Sequence, residues 1–120
     1  MILKFKTGKG ARGLLTYIAI GADQTVPMFT NMAGQTPRAL AREVAALRSL
    51  RPKLGKAAAH LIMSHDPSQR ELTEAEWREA LDLALAEHGA QNVPFAAYTH
   101  TDKAHQHLHV FFYASTPQGT

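Results

Sequence analysis

The sequence has no cysteine, which excludes disulfide staples and thiolate metal sites. No apolar run approaches the ~18 residues that a membrane-spanning helix needs, so no membrane partner is expected. The first residues, Met1-Ile-Leu-Lys-Phe-Lys6, alternate apolar and basic side chains. That pattern lacks the continuous apolar centre of a signal peptide and reads as a strand. These absences are compatible with a cytoplasmic location, which is the expectation. Acidic residues are scarce in the first half. Residues 1–60 carry ten Lys/Arg against Asp23 and Glu43 alone, whereas residues 61–120 carry Arg70, Arg78 and Lys103 against eight acids. The asymmetry suggests a basic surface suited to a polyanion such as nucleic acid, with an ordinary solvated face as the bland reading. Lys9, Arg12, Arg38, Arg42, Arg48 and Lys53 are the candidate contacts.

At 120 residues with 45% hydrophobic content, the chain is long enough for one core and is expected to be a single domain, 1–120. Residues 2–6 alternate as a first strand. Thr7-Gly-Lys-Gly10 is a basic turn without the Lys-Ser/Thr ending of a phosphate-binding loop. Leu14, Leu15, Ile18 and Ala19 repeat at helical spacing over 11–20, and Gly21 stops that helix. Tyr17 lies on it with Gly13 and Gly21 four residues to either side, so little bulk covers it. Val26 to Met32 is either a short strand or an irregular connection. Thr36-Pro37 opens a second helix as N-cap and N1, with Leu40, Val44 and Leu47 as its buried stripe, and Pro52 and Gly55 end it. Ala57 to Ser64 reads as a buried strand. Thr73-Glu-Ala-Glu76 is a capping box with Leu72 and Trp77 as a staple, opening a helix to about His88 with Gly89 beyond it. Phe95 to Thr99 and the segment from His105 read as an antiparallel pair, with Lys103-Ala104 near the apex. The order β–α–(β)–α–β–α–β–β fits an α+β fold, a layered and mostly antiparallel sheet with helices packed on it.

The chemistry concentrates in His100-Thr-Asp102-Lys-Ala-His105-Gln-His107-Leu-His109, which holds four of the seven histidines. In a strand, His105, His107 and His109 share one face, and Leu108, Val110 and Phe112 share the other. Three imidazoles on one face repel if protonated and need partners if buried, and a shared cation removes both difficulties. A further ligand has to come from elsewhere, with His100 the nearest candidate. Histidine ligation leaves the cation its full charge for phosphate oxygens, which fits a phosphodiester substrate and the basic first half. The nucleophile is then metal-bound water or a side chain. Among side chains cysteine is absent, and Tyr17 lies near Lys9 and Arg12. His65 and His88, taken singly, read as packed or surface residues.

His100-x-Asp102-x-x-x-x-His107-x-His109 ahead of an apolar strand resembles the metal motif of plasmid relaxases, mobilisation nucleases of the histidine–hydrophobe–histidine class. Arg12-Gly-Leu-Leu-Thr-Tyr17-Ile resembles the N-terminal segment of that family. His60-Leu-Ile-Met-Ser64-His65-Asp-Pro, followed by Glu71-Leu-Thr73, resembles its middle segment. The tyrosine precedes the histidines, as in relaxases, whereas replication initiators of the same class place it after them. The resemblance implies a single-strand DNA transesterase for conjugative plasmid mobilisation. Tyr17 would attack one phosphodiester at a transfer origin and form a 5′-phosphotyrosine link. His100, His107 and His109 would hold Mg²⁺ or Mn²⁺, and Asp102 would orient a ligand ring or accept the phenol proton. Relaxosome accessory proteins are the implied partners. Gln106 and the extra His105 depart from the family pattern, and on strand parity His105 competes with His100 as third ligand. Relaxase domains continue beyond the histidine strand, so the chain is expected to be the N-terminal part of a longer protein. The competing readings are a metal-dependent hydrolase using water, a rolling-circle initiator, and a non-catalytic DNA-binding fragment.

Overall fold

A computed structural model describes residues 1–8, 10–50, 57–90, 92–102 and 105–114. Lys9, Pro52, Lys53, Gly55 and Lys103-Ala104 lie outside the described residues, as do the side chains of Arg48, Asp102 and His105.

The element order is β1 (Ile2–Gly8), α1 (Ala11–Ile20), β2 (Phe29–Thr30), α2 (Pro37–Leu50), β3 (Ala57–Ser64), α3 (Glu74–Glu87), β4 (Phe95–Asp102) and β5 (His105–Ala114). This is the expected α+β sequence of elements. The five strands form one antiparallel sheet in the order β1-β3-β5-β4-β2. The last strand in sequence is therefore the middle strand in space. β5 pairs with β3 from His107 to Ala114 and with β4 from His105 to Phe112, so its middle, from His107 to Phe112, has a ladder partner on each side. The two edges are blunted differently. β1 carries Lys4 and Lys6, and β2 is only two residues long.

Alternation along the strands makes two faces. Ala59, Leu61 and Met63 of β3, Phe95 and Ala97 of β4, and Leu108, Val110 and Phe112 of β5 pack with Trp77, Leu81, Ala84 and Leu85 of α3. Those four residues recur at helical spacing and form one stripe of α3. Its first turn is fixed as the sequence suggested. Glu76 N–H donates to the Thr73 hydroxyl, and Thr73 N–H donates to Glu76 Oε1 at 2.9 Å. Leu72 packs against the cluster that contains Trp77, and Gly89 ends the helix with φ of 66°.

On the opposite face, Ala58, Ala96, Tyr98, Phe111 and Tyr113 pack with Leu15 and Ile18 of α1 and with Leu40 and Val44 of α2. Thr36 Oγ1 accepts the Ala39 N–H at 3.1 Å, capping α2. Glu43 of α2 reaches back to accept the N–H groups of Ala33 and Gly34, tying down the connection after β2. The ambiguous Val26–Met32 stretch contributes β2, held beside β4 by Thr30 Oγ1–H to the Phe95 carbonyl at 2.7 Å. Pro27 leaves room for only this short pairing, because it breaks the run and donates no N–H.

Candidate active site

The site forms where the α1/α2 face of the sheet stops being apolar. His60 of β3, His100 of β4, and His107 and His109 of β5 lie on three adjacent strands. In register, His100 opposes His107, Ser64 also opposes His107, and both Ile62 and Tyr98 oppose His109. Directly opposed residues in an antiparallel pair share a face. The histidines therefore form a connected row rather than the single-strand trio suggested by β5 alone.

The rings are in contact. His100 stacks on His109 with centroids 3.8 Å apart, and His107 lies parallel to His109 at 6.2 Å. His60 Nε2 lies 2.8 Å from His109 Nδ1. Tyr17 meets the row from α1, its ring edge-on to His60 with centroids 6.2 Å apart. Tyr17 is nonetheless 69% exposed, the open position suggested by its glycine neighbours. Helix and sheet thus bring together residues more than forty positions apart in sequence.

Burial and mutual repulsion push His60, His100 and His109 towards the neutral form. His109 is pushed down to about 3, first by burial and then by the charges of His100, His60 and His107. His60 is pushed down to about 4 by burial, with Lys6 and His100 adding to it. Lys6 opposes His60 directly across the β1–β3 ladder, so that Lys4 and Lys6 lie on the histidine face. His100 is lowered by burial, partly offset by a backbone hydrogen bond to Ile18 and by the carboxylate of Asp23. Asp23 is locked at the end of β4. It accepts the Thr101 N–H at 3.0 Å and the Thr101 hydroxyl at 2.8 Å, while its own N–H donates to the Thr99 carbonyl. Neutral imidazoles with available lone pairs are the form that a cation binds.

The donor chemistry fits a divalent cation, and His100 Nε2 is a buried polar atom with no hydrogen-bond partner. The rings stack by their faces, however, and among the described residues no group of three or more His, Asp or Glu side chains is disposed to hold a metal ion.

Of the residues singled out by sequence, His100, His107, His109 and Tyr17 come together. Arg12, Arg38 and Arg42 are exposed on α1 and α2, the two helices of the same face. His60, Asp23, Lys4 and Lys6 were not among the candidates. Strand alternation offered a signal for Lys4, Lys6 and His60, but none marked Asp23. His65 and His88 have the structural roles expected of single histidines. His65 Nε2 lies 2.6 Å from the Arg70 carbonyl, and His88 Nδ1 lies 2.8 Å from the Ala84 carbonyl.

Gly21 shows how closely α1 approaches the site. A Cβ added there would lie 3.0 Å from His100 Cε1 and 3.1 Å from its Nδ1. Its φ is −92°, so it is this approach, and not backbone conformation, that calls for glycine.

An antiparallel sheet sandwiched by helices, with a histidine row beneath an exposed helical tyrosine, defines an α+β fold with one apolar and one histidine-bearing face. The family model for relaxases, described as the MobA/VirD2-like nuclease domain, matches residues 17–120, and the chain belongs to that family. No curated protein and no solved structure matches it. Family membership carries a relaxase-type nicking role and a single-stranded DNA substrate. No helix among the described residues is long and apolar enough to cross a membrane.

Proposed function

We propose that the chain nicks one strand at a plasmid transfer origin by tyrosine transesterification, as the catalytic part of a conjugative mobilisation system. The Tyr17 hydroxyl oxygen attacks phosphorus and forms the Oη–P bond. The bond from phosphorus to O3′ breaks, the phenol gives up its proton, and the departing oxygen takes one up as a 3′-OH. The 5′-phosphotyrosine link retains the ester, so the same steps in reverse rejoin the strand. A Mg²⁺ or Mn²⁺ ion bound by His100, His107 and His109 would supply stabilisation of negative charge on the phosphate. Asp102 orients a ligand ring in this reading. Arg12, Arg38 and Arg42, with Lys9, Arg48 and Lys53, attract the strand electrostatically, and relaxosome accessory proteins deliver it melted.

The observation that carries the reading is the meeting of Tyr17 with the histidine row, through the 6.2 Å edge contact to His60 and the His60–His109 hydrogen bond. A nucleophile needs exposure to substrate, and Tyr17 is exposed beside a ring of the row, which supports this reading.

The test is mass spectrometry of the protein after incubation with single-stranded candidate-origin DNA and Mn²⁺. A covalent protein–oligonucleotide adduct is expected with wild type and none with Tyr17→Phe. An adduct that persists in Tyr17→Phe overturns the assignment. Cleavage without an adduct in both proteins points to attack by water, and salt-sensitive binding without cleavage points to a DNA-binding fragment.

A further inference from the structure

The face that carries the histidine row continues past His107 towards the sheet edge. Across the β3–β5 ladder His107 opposes Ser64, and across the β1–β3 ladder Ser64 opposes Ile2. Neighbouring strands lie about 4.8 Å apart, so Ile2 stands about 10 Å from His107 along one line of the sheet. At that end of the line is a cavity of about 400 Å³, walled by Met1, Ile2, Ser64, His65, Asp66 and Pro67. Its size is at the small end of ligand pockets. The wall is fixed in place. His65 Nε2 lies 2.6 Å from the Arg70 carbonyl, and its ring meets Trp77 edge-on with centroids 6.3 Å apart. The His65 N–H donates to the Gln106 carbonyl. Asp66 Oδ1 accepts the N–H and the hydroxyl of Ser68, at 2.9 and 2.8 Å. Its Oδ2 accepts no hydrogen bond from the described residues.

We propose that this cavity seats an unstacked guanine of the single-stranded substrate, beside the histidine row, with the Asp66 carboxylate reading its Watson–Crick edge. This rests on the single-stranded DNA reading above, and on neither a metal nor Tyr17. The wall suits a base and not a phosphate. No Lys or Arg among the described residues lines it, and a carboxylate repels an anion. Met1 and Ile2, 54% and 64% exposed, offer apolar area with Pro67, and the held His65 ring adds a flat surface. An ionised carboxylate has acceptors only. Guanine presents two adjacent donors, N1–H and the N2 amino group, and can give both to it. Adenine and cytosine each present one amino group beside a ring-nitrogen acceptor. Thymine sets its N3–H between two carbonyl oxygens, which the carboxylate repels. Lys4 and Lys6 lie on the same face of β1 and are partners for flanking phosphates, which position the strand while the base contact selects it.

Fluorescence anisotropy of the protein in EDTA tests the cavity without any cleavage step. The probes are a labelled oligothymidylate of about ten nucleotides and the same strand carrying one central dG, dA or dC. The dG strand is expected to bind about tenfold tighter than oligothymidylate, and the dA and dC strands within about threefold of it. Deoxyinosine in place of dG lacks the N2 amino group and should lose most of the gain. Deoxy-7-deazaguanosine, altered only on the opposite edge, should keep it. Asp66→Asn retains an oxygen for the Ser68 turn and exchanges the other acceptor for a donor. It should bind oligothymidylate at least as tightly as wild type does, yet lose the preference for dG, with thermal melts checking that the turn survives. Equal binding of the dG and all-dT strands, a gain that deoxyinosine keeps, or a dG preference that Asp66→Asn retains overturns the proposal alone. Failure of the wild-type protein to bind any of the strands overturns the single-stranded reading of this face, and the proposal with it.

Discussion

The two faces of the sheet are built from alternate residues of the same strands, yet they are employed differently. Beneath α3 the inward residues Ala59, Leu61 and Met63 of β3, Phe95 and Ala97 of β4, and Leu108, Val110 and Phe112 of β5 are apolar. Beneath α1 and α2 only one end is apolar, at Ala58, Ala96, Tyr98, Phe111 and Tyr113, and the rest is the histidine row. The second face thus gives up part of its hydrophobic area to polar rings that must be desolvated, and it leans on the first for rigidity. A site held to fractions of an ångström needs such a scaffold, because misplacement of reacting groups is costly. The central place of β5 serves both purposes. Leu108, Val110 and Phe112 anchor it from one side, and His107 and His109 are presented on the other.

This division is open to attack from the α3 side first, where the expected effect is largest. Trp77 is fully buried between α3 and the sheet. Trp77→Ala should cost about 3–5 kcal/mol of stability, a large share of what a domain this size has. Urea unfolding followed by circular dichroism would show it as a lowered midpoint. Any loss of nicking should track the unfolded fraction, so that activity per folded molecule is retained. A Trp77→Ala protein that unfolds at the wild-type midpoint would mean that the α3 face is not what supports the sheet.

Much of this contrast was legible beforehand, because the signals were local. Leu108, Val110 and Phe112 against His107 and His109 is plain period-two alternation, and the structure puts the first set in the α3 core. Trp77, Leu81, Ala84 and Leu85 follow a helical period, and Thr73 with Glu76 forms the capping box their types imply. What could not be read was which strands become neighbours. The order β1-β3-β5-β4-β2 is set by long-range pairing, and it alone brings His60 beside His109 and Lys6 opposite His60. Asp23 was illegible for the same reason, since its partner Thr101 lies 78 residues away. Gly21 was read as a helix stop. It does follow α1, but its closeness to His100 is a tertiary fact that no helix-stop rule contains.

Gly21→Ala attacks the histidine face with a smaller perturbation. Alanine is compatible with the backbone at φ −92°, and it removes freedom from the unfolded chain, worth about 0.4–1 kcal/mol in favour of folding. Against this, its methyl group must push the His100 ring by a few tenths of an ångström. Stability should therefore change by less than about 1 kcal/mol in either direction. Nicking should fall on the order of ten- to a hundredfold, because a positioned ring has moved. Parallel thermal melts and single-turnover cleavage assays check both halves. Unchanged cleavage would show that the place of His100 is not critical and would return His105 to contention.

The gentlest probe of the comparison lies at the start of α3. Both Glu76 carboxylate oxygens accept from Arg70, at 2.7 and 2.6 Å, while Oε1 also closes the capping box. The Arg70 hydrogen bonds, followed by the Thr73 backbone N–H, hold this carboxyl down to about 2. A carboxyl lowered in the folded state contributes stability above its ordinary titration range, and that contribution is lost as pH falls through the folded value. Glu76→Gln keeps an oxygen for the Thr73 N–H but removes the charge. It should melt slightly below wild type at neutral pH, with the gap closing as pH falls towards about 2. The pair is exposed, so the gap should also shrink in molar salt. Cleavage at neutral pH should stay at the wild-type rate, because Glu76 acts only on the helix that braces the apolar face. A fall in cleavage without a change in melting would break the separation of the two faces, since it would require a charge on the α3 side to reach the histidine row through the sheet.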